Sequence, residues 1–292
     1  KEVRVGFGMI KIENLVKRYG KLVALDHLNL EIEEGEIYGL LGPNGSGKTT
    51  TIKAMLDIVK RDAGDVEILG MDIREREQEV KEEIGVVFGE SQFHDFLSAV
   101  QISGIMKRVY KNWDEELFSS YLSRFALPEK KKVKEYSRGM AMKLAIAAAL
   151  SHHPKLLILD EATSGLDPVA RDEILDLFFG FIEDGEHSVL IASHITSDLD
   201  KVADYVTMIH NGSILFSEEK DQLLEDMGIL RCGEEELAGL TDVHVVGVRK
   251  NPYGVEALIR GREYVKRRYP ELVTDRTNIE EIMLYSGRRD RK

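Results

Sequence analysis

The stretch GPNGSGKT, Gly42 to Thr49, places glycines, a lysine and a hydroxyl at the spacing of a phosphate-binding loop. Glycines let the backbone N–H groups of such a loop turn inward around phosphate oxygens, Lys48 reaches the outer phosphates, and the Thr49 hydroxyl suits Mg²⁺. The apolar run before the loop predicts a strand, and the pattern after it predicts a helix whose N-terminus adds partial positive charge. The phosphate-binding residues predicted here are Gly42, Asn44, Gly45, Ser46, Gly47, Lys48, Thr49 and Thr50.

A pair of acidic residues follows a second apolar run, LLILD, which predicts a buried strand. Asp160 ends that run, and Glu161 comes directly after it. Beside a phosphate loop, the first carboxylate suits the Mg²⁺ shell and the second suits the orientation or deprotonation of an attacking water. Acidic pairs at strand ends are common, so the assignment of Asp160 and Glu161 depends on the presence of the phosphate loop.

The turn YSRGM, Tyr136 to Met140, stands directly before a long apolar helix. Serine is a favoured helix N-cap, so the simplest interpretation of Ser137 is a cap. The same hydroxyl, the Gly139 N–H and the helix N-terminus also have the chemistry to bind a phosphate. The turn by itself is compatible with both roles.

These motifs, taken in order, resemble those of the nucleotide-binding subunits of ABC transporters, and the resemblance covers residues 9–217. It rests on Tyr19, the phosphate loop, the signature YSRGM, the strand LLILDE, the loop SGLD and His194 in IASHI. The resemblance implies an α/β P-loop NTPase fold of ABC type, with a mixed sheet core, an antiparallel β edge and a helical subdomain. It also implies ATP and Mg²⁺ as cofactors and ATP hydrolysis as the reaction.

The resemblance assigns roles to three residues outside the phosphate loop and the signature. Tyr19 would stack on the adenine. His194 would contact the γ-phosphate and share the catalytic geometry with Glu161 and Lys48. Asp167, in the loop SGLD, would support the ATP site of the opposite subunit.

Two such subunits enclose two ATP molecules in this family, and the signature of one covers the phosphates held by the other. Ser137, Arg138 and Gly139 are therefore expected to contact the ATP of a second subunit, identical or homologous. The family signature is Leu-Ser-Gly-Gly-Gln, so Tyr136, Arg138 and Met140 depart from it. We expect Arg138 to lie near the phosphates, the alternative being a position in solvent or facing a permease.

A second departure concerns the glutamine that links Mg²⁺ and water to the permease contact in the family. An ungapped match places Gly89 at that position. Glu90 or Gln92 could replace it, and we favour Glu90 because a carboxylate can bind Mg²⁺ or its water. The competing interpretation of Glu90 is a solvated loop acid.

Hydrophobic patterns predict the elements that position these motifs. Alternation between Met9 and Ile32 predicts antiparallel strands, and the apolar runs EIYGLLG, LLILD and SVLIAS predict buried parallel strands. Helices are predicted over 168–182 and within 100–125, where the four-residue spacing of Trp113, Leu117, Tyr121 and Phe125 indicates a packed face. The dipeptide Asn211-Gly212 between apolar runs predicts a hairpin.

The pattern divides the chain into three parts. Residues 1–8 are predicted to be an N-terminal extension or an expression remnant. Residues 9–217 form the ATPase domain, with its helical subdomain at about 90–153. The remainder, 218–292, is predicted to be a small α+β accessory region with a role in dimerisation or regulation, because VHVVGVRK and VEALIRG suggest strands and NIEEIMLY an amphipathic helix.

Composition narrows the class of protein. A formal net charge of −12 argues against nucleic acid as a partner, and the single Cys232 allows no internal disulfide. No apolar run approaches the about 20 residues needed to span a bilayer. The resemblance to ABC transporter subunits then implies a peripheral subunit on the inner, cytoplasmic face of the cell membrane, working with a separately encoded transmembrane permease.

The interpretation that follows is an ATP-hydrolysing subunit that drives export by ATP-dependent dimerisation. Finer similarity in NWDEELFSSYL, EYSRGM and the stretch beginning GILRC supports export of peptides, antibiotics or small metabolites over import. The main alternative is an ABC ATPase that acts on nucleic acid, ribosomes or cluster assembly. A non-hydrolysing regulatory subunit is a further alternative, disfavoured by the presence of Glu161 and His194.

Overall fold

The structure is a computed structural model that describes residues 8–89, 92–252 and 254–287. Within these residues the chain forms three β-sheets with α-helices packed around them. Of the predicted extension at residues 1–8, only Gly8 lies within the described residues.

The strands, in chain order, are β1 (Ile10–Tyr19), β2 (Leu22–Ile32), β3 (Ile37–Leu41), β4 (Ala63–Ile68), β5 (Met71–Asp72), β6 (Ile84–Phe88), β7 (Leu156–Asp160), β8 (Ser188–Ser193), β9 (Tyr205–His210), β10 (Ser213–Glu219), β11 (Gly228–Cys232), β12 (Val245–Asn251), β13 (Gly254–Ile259) and β14 (Val273–Arg276). The helices are α1 (Lys48–Met55), α2 (Glu77–Glu83), α3 (Ala99–Val109), α4 (Glu115–Arg124), α5 (Arg138–Leu150), α6 (Pro168–Ile182), α7 (Thr196–Val202), α8 (Lys220–Asp226), α9 (Glu234–Gly239), α10 (Arg262–Arg268) and α11 (Ile279–Ser286).

The central sheet has six strands in the order β10-β9-β3-β8-β7-β6. All of its neighbours are parallel except the β9–β10 hairpin, and every residue of β3, β7 and β8 is buried. One face packs against α5, α6 and α7, and the other against α1 and the strands β1, β2 and β4. Burial on both faces explains the continuous apolar sequences of these strands. Because the carboxyl ends of parallel strands meet at one edge, the loops after β3, β7 and β8 converge there.

The predicted antiparallel strands belong to a second sheet, in the order β2-β1-β4-β5. β1 pairs with β2 on one side and with β4 on the other, so these strands form a sheet of their own beside the parallel one. The hairpin at Asn211-Gly212 is confirmed, with both residues at positive φ, 47° and 77°, as a type I′ turn requires.

The region predicted to be the helical subdomain contains α3, α4 and α5, and the single packed helix face predicted for Trp113, Leu117, Tyr121 and Phe125 was partly wrong. The segment 100–125 is two helices, and Trp113 lies in the connection between them, where its Nε1 donates to Ser103 Oγ at 3.2 Å. The fully buried face of α4 consists of Phe118 and Leu122. Trp113 is outside the helix because Asp114 caps α4 by accepting the Leu117 N–H at 2.8 Å, which starts the helix at Glu115.

The C-terminal strands form a third sheet in the order β12-β13-β11-β14, with every neighbouring pair antiparallel. The element order β11-α9-β12-β13-α10-β14 with this strand order is the split βαβ arrangement of ferredoxin-like folds. The predicted strands and the closing amphipathic helix are present, as β12, β13 and α11. The boundary between 217 and 218 remains a prediction, and β10 continues through it to Glu219.

Two carboxylates meet where adjacent parallel strands begin. Glu36 precedes β3, and Asp204 precedes β9 and accepts the Ile37 N–H at 2.8 Å. Burial, together with the nearby Asp204 charge, raises the pKa of Glu36 to about 7. The folded chain therefore holds a proton here that the unfolded chain has lost, and the associated stability, complete below about pH 4.5, disappears as pH rises through 7.

Replacement of Glu36 by glutamine is expected to stabilise the protein at pH 8 and to have little effect at pH 5. The free energy of unfolding at pH 8 should rise by about 1 kcal/mol after allowance for solvent screening. Thermal unfolding of both proteins across this pH range measures it. Glu34→Gln, at an exposed position nearby, is the control. An equal shift at both pH values would contradict protonation of Glu36 as the cause.

Candidate functional site

A cavity of about 630 Å³ opens where the carboxyl ends of β3, β7 and β8 meet the tips of β1 and β2. It brings together most of the residues predicted from sequence. Its lining includes Tyr19, Asn44, Gly45, Gly47, Lys48, Thr49, Thr50, Glu161 and His194. Gly42 and Ser46 are buried residues of the phosphate loop, and Asp160 is buried beside Thr49.

Lys48 is the buried cation of the site. It is the first residue of α1, its side chain is only 5% exposed, and its Nζ donates to the Gly42 carbonyl at 2.7 Å. The same Nζ lies 3.4 Å from Glu161 Oε1. An ammonium held at a helix N-terminus between a glycine loop and a carboxylate is well suited to binding the terminal phosphates of a nucleotide.

Gly42 is required by close backbone approach. A Cβ at this position would lie 2.4 Å from the Ile209 carbonyl and 2.5 Å from Ser46 Oγ. The loop therefore rests directly on the end of β9, which fixes its path before it reaches Lys48.

Asp160 and Thr49 place two side-chain oxygens next to each other beside the phosphate loop. Thr49 Oγ1 donates to Asp160 Oδ1 at 3.1 Å, and burial is the main cause of the raised pKa of Asp160. No group of three or more His, Cys, Asp or Glu side chains suited to a metal occurs among the described residues. A hydroxyl and a single carboxylate suit Mg²⁺, which keeps several waters and is commonly shared with substrate phosphates.

Glu161 occupies the centre of the site. Its carboxylate has Lys48 Nζ on one side and His194 Nδ1 on the other, at 2.6 Å from Oε2. Its backbone is left-handed, with φ of 56°, and its N–H donates to the Ala192 carbonyl at 2.8 Å. A non-glycine residue at positive φ is strained, and here that conformation turns the side chain out of β7 toward His194.

Tyr19 lies at the rim of the cavity, 47% exposed, with Lys17 Nζ 4.9 Å from the centre of its ring. Its exposed face is available for stacking.

Sequence reasoning missed the role of the β9–β10 hairpin tip in this site. Asn211 and Gly212 line the cavity, the Gly212 N–H donates to the Ser46 carbonyl at 2.8 Å, and the Gly212 carbonyl accepts from Asp26 at 3.0 Å. The tip thereby joins the phosphate loop to the antiparallel sheet. The Asn-Gly signal indicated the turn, but nothing in the sequence indicated what the turn contacts.

The signature and Asp167 do not line this cavity. Ser137 Oγ accepts the Met140 N–H at 3.2 Å as the N-cap of α5, and Asp167 Oδ1 caps α6 by accepting the N–H groups of Val169 and Ala170, at 3.1 and 3.0 Å. The Ala170 hydrogen bond is the main cause of the lowered pKa of Asp167. Within one chain, both Ser137 and Asp167 act as caps.

Arg138 lies over the backbone of Gly165 in the loop SGLD. A Cβ at Gly165 would fall 2.4 Å from the Arg138 Nη1, and Gly165 has a φ of 74°. Ser137 and Arg138 line a separate cavity of about 490 Å³. Within the chain, the Arg138 guanidinium therefore contacts the loop before α6 and does not line the cavity that contains Lys48.

The position expected for the family glutamine has no room for a side chain. A Cβ at Gly89 would lie 2.9 Å from the Glu161 carbonyl. Gln92 Nε2 donates back to the Val86 carbonyl at 3.3 Å. Glu90, the favoured replacement, lies outside the described residues.

In the described part of the chain, no helix has the length and apolar character needed to cross a bilayer.

Comparison with known proteins identifies the family. A family model described as "ABC transporter" matches residues 25–164. The bacitracin transport ATP-binding protein BcrA of Bacillus licheniformis is 36% identical over 209 residues, which cover 71% of this chain and 68% of BcrA. The lantibiotic transport ATP-binding protein SrtF of Streptococcus pyogenes is 35% identical over 215 residues, 73% of this chain and 92% of SrtF.

A solved structure agrees in fold. The dimeric, post-hydrolysis ATP-binding cassette MJ0796, bound to ADP and phosphate, has a TM-score of 0.64 and 25% identity over 72% of this chain and 98% of the cassette. The chain therefore belongs to the family of ABC transporter ATP-binding proteins, and its phosphate loop, acidic pair and histidine are those of a family member.

Proposed function

We propose that two copies of this chain, or this chain and a homologue, close around two ATP molecules, and that each ATP site combines the cavity of one chain with the signature of the other. The chain is an ATP hydrolase of the ABC family, which powers export through a separate membrane permease. One observation supports the two-chain site above all: Ser137 and Arg138 lie outside the cavity that contains Lys48, Glu161 and His194.

The proposed hydrolysis uses the contacts already present around Glu161. Lys48 binds the terminal phosphates, and Tyr19 stacks on the base. Glu161 orients the attacking water and accepts its proton, while His194 holds the Glu161 carboxylate through Nδ1 and leaves its other nitrogen for the γ-phosphate. Asp167 is proposed to act across the dimer.

Mg²⁺ fits the oxygen donors of Thr49 and Asp160 and would neutralise charge on the phosphates when bound. We propose these two residues as its protein ligands. Glu90 as a third ligand remains a prediction.

The permease is proposed to contact the segment that follows β6, at the inner face of the membrane. Phe96 is 58% exposed and Val100 is 54% exposed. Lys132 and Lys134 place their Nζ atoms 5.8 and 5.1 Å from the Phe96 ring centre. Exposed apolar side chains ringed by polar groups are typical of a protein interface.

The names of BcrA and SrtF suggest peptide antibiotics as the exported class. Cells that lack this gene should therefore become more sensitive to such peptides, and the wild-type gene should restore resistance where its Glu161→Gln variant does not. Purified protein tests the two-chain site: its solution mass should double with Mg-ATP, and its specific turnover should rise with protein concentration. ATP binding with a monomer mass and constant specific turnover would refute the homodimer.

Truncation of Arg138 to alanine tests the position of its guanidinium. If closure of the dimer moves Arg138 onto the partner's phosphates, Arg138→Ala should lower turnover and dimer formation by about tenfold or more, since a hydrogen bond to a charged group contributes about 1.5–3 kcal/mol. If turnover and ATP affinity are unchanged, the Arg138 guanidinium keeps its contact with Gly165 throughout the ATPase cycle and does not reach the phosphates. Arg124→Ala, at an exposed position on α4, is the control.

A further inference from the structure

Helix α7 connects the catalytic residues to the ATPase core. It begins two residues after His194, and four of its seven residues are buried: Thr196, Asp198, Leu199 and Val202. Leu199 packs on Gly39 of β3, where a Cβ would lie 3.0 Å from the leucine side chain. Because β3 leads into the phosphate loop, this contact fixes the position of α7, and with it His194, relative to the loop.

Asp198 joins α7 to the loop that carries Glu161. Its side chain is 2% exposed, and its Oδ2 accepts the Thr163 hydroxyl at 2.6 Å. Its Oδ1 lies 3.8 Å from Arg171 Nε. Thr163 is two residues after Glu161. A buried charge-assisted hydrogen bond is costly to break, so the Glu161 loop and α7 are expected to move together.

The other end of α7 is held by the C-terminal region. Lys220, at the start of α8, donates from Nζ to the Asp200 carbonyl at 2.9 Å, which satisfies a carbonyl in the last turn of α7. The side chain of Ile279, at the start of α11, is buried in the same cluster as Val202 of α7. Lys220 and Ile279 both come from beyond Ser217.

Hydrophobic contacts also join α7 to the C-terminal region. Ile279, Ile282 and Tyr285 form the buried face of α11, and they belong to one buried cluster with Leu199 and Val202 of α7. Leu223, Met227, Ile229 and Leu258 of the C-terminal region belong to the same large cluster, whereas Leu230, Ala257, Ile259 and Val265 form a separate one. Helix α11 packs directly against α7 and places its buried side chains in the core that the C-terminal region shares with the rest of the chain.

We propose that the C-terminal region holds α7 where His194 meets Glu161, with Asp198 as the positioning residue, so that the contact between α11 and α7 sets the rate of ATP hydrolysis. This inference rests on the proposed catalytic roles of Glu161 and His194. The C-terminal region would then control the rate of hydrolysis without changing the affinity for ATP. Among its described residues, none lines the cavity.

The test compares two identical truncations in the C-terminal region. Ile282 and Ile259 are both fully buried, so Ile282→Ala and Ile259→Ala remove the same atoms and should lower the unfolding temperature to a similar extent. Only Ile282→Ala is expected to lower kcat, by about tenfold, with KM for ATP changed less than about twofold, because small displacements of catalytic groups affect kcat strongly. If either alanine variant fails to fold, the corresponding valine variants replace the pair.

A second pair tests Asp198 through its partner. Thr163→Val removes the hydroxyl with little change of shape and is expected to lower kcat, whereas Thr163→Ser keeps the hydrogen bond and should retain the wild-type kcat. Equal kcat in the Ile282 and Ile259 variants, or equal kcat in the Thr163→Val and Thr163→Ser variants, would overturn the inference. Full turnover by Glu161→Gln would instead refute the proposed catalytic role.

Discussion

Replacement of Glu161 by glutamine is expected to lower ATP turnover by about 10²–10³-fold while ATP affinity stays within a few-fold of wild type. Glutamine keeps the size of the side chain and an oxygen for His194 or Lys48, but its amide cannot accept the proton of the attacking water. Steady-state turnover and nucleotide titration measure the two effects separately. Because ATP then stays bound, the variant should also accumulate as a dimer in Mg-ATP, visible by light scattering.

The matched control is Glu183→Gln, which makes the same chemical change at an exposed position at the end of α6. It should retain wild-type turnover. A Glu161→Gln protein that turns over ATP at near the wild-type rate would mean that another group accepts the proton. Loss of ATP binding in that variant would instead show that the carboxylate is needed to hold Lys48.

Replacement of Lys48 by methionine is expected to weaken ATP binding by about 100-fold, because one or two hydrogen bonds to charged phosphate oxygens are lost. Methionine keeps most of the apolar stem, so the folded chain should persist. It also leaves Glu161 without its cation at 3.4 Å. Titration with a fluorescent ATP analogue measures the loss, and turnover should fall at least as much.

Lys17→Met is the control for this change of charge. Lys17 also borders the site, where it lies over the Tyr19 ring and donates to the Lys60 carbonyl at 2.7 Å. Its loss should affect ATP binding only slightly if Lys48 alone reaches the phosphates. Equal losses in the two variants would point to a general effect of positive charge around the cavity.

The central part of the site could be predicted because its residues follow directly from strands of one parallel sheet. Asp160 ends β7, and Lys48 and His194 come after β3 and β8. The carboxyl ends of such strands share an edge, so local patterns were sufficient to bring these residues together. The phosphate loop also has a distinctive spacing. The left-handed backbone of Glu161 was not predictable, since no glycine or asparagine indicates it.

Contacts between distant elements left no signal in the sequence. The hairpin tip at Gly212 contacts the Ser46 carbonyl, and Arg138 rests on Gly165, although neither pair is close along the chain. Trp113 matched a helical spacing, but the cap at Asp114 excluded it from the helix. In each case a tertiary contact or a cap determined the outcome, and a pattern read over a short window cannot include it.

The separation of the signature from the cavity also has a consequence for how such a protein can evolve. If each ATP site takes its cavity from one chain and its signature from the other, a duplicated gene gives mixed pairs in which the two sites differ. A substitution at Glu161 in one copy and one at Ser137 in the other would fall in the same site and leave the second site intact. One site can then lose hydrolysis and become regulatory while the other continues to power transport.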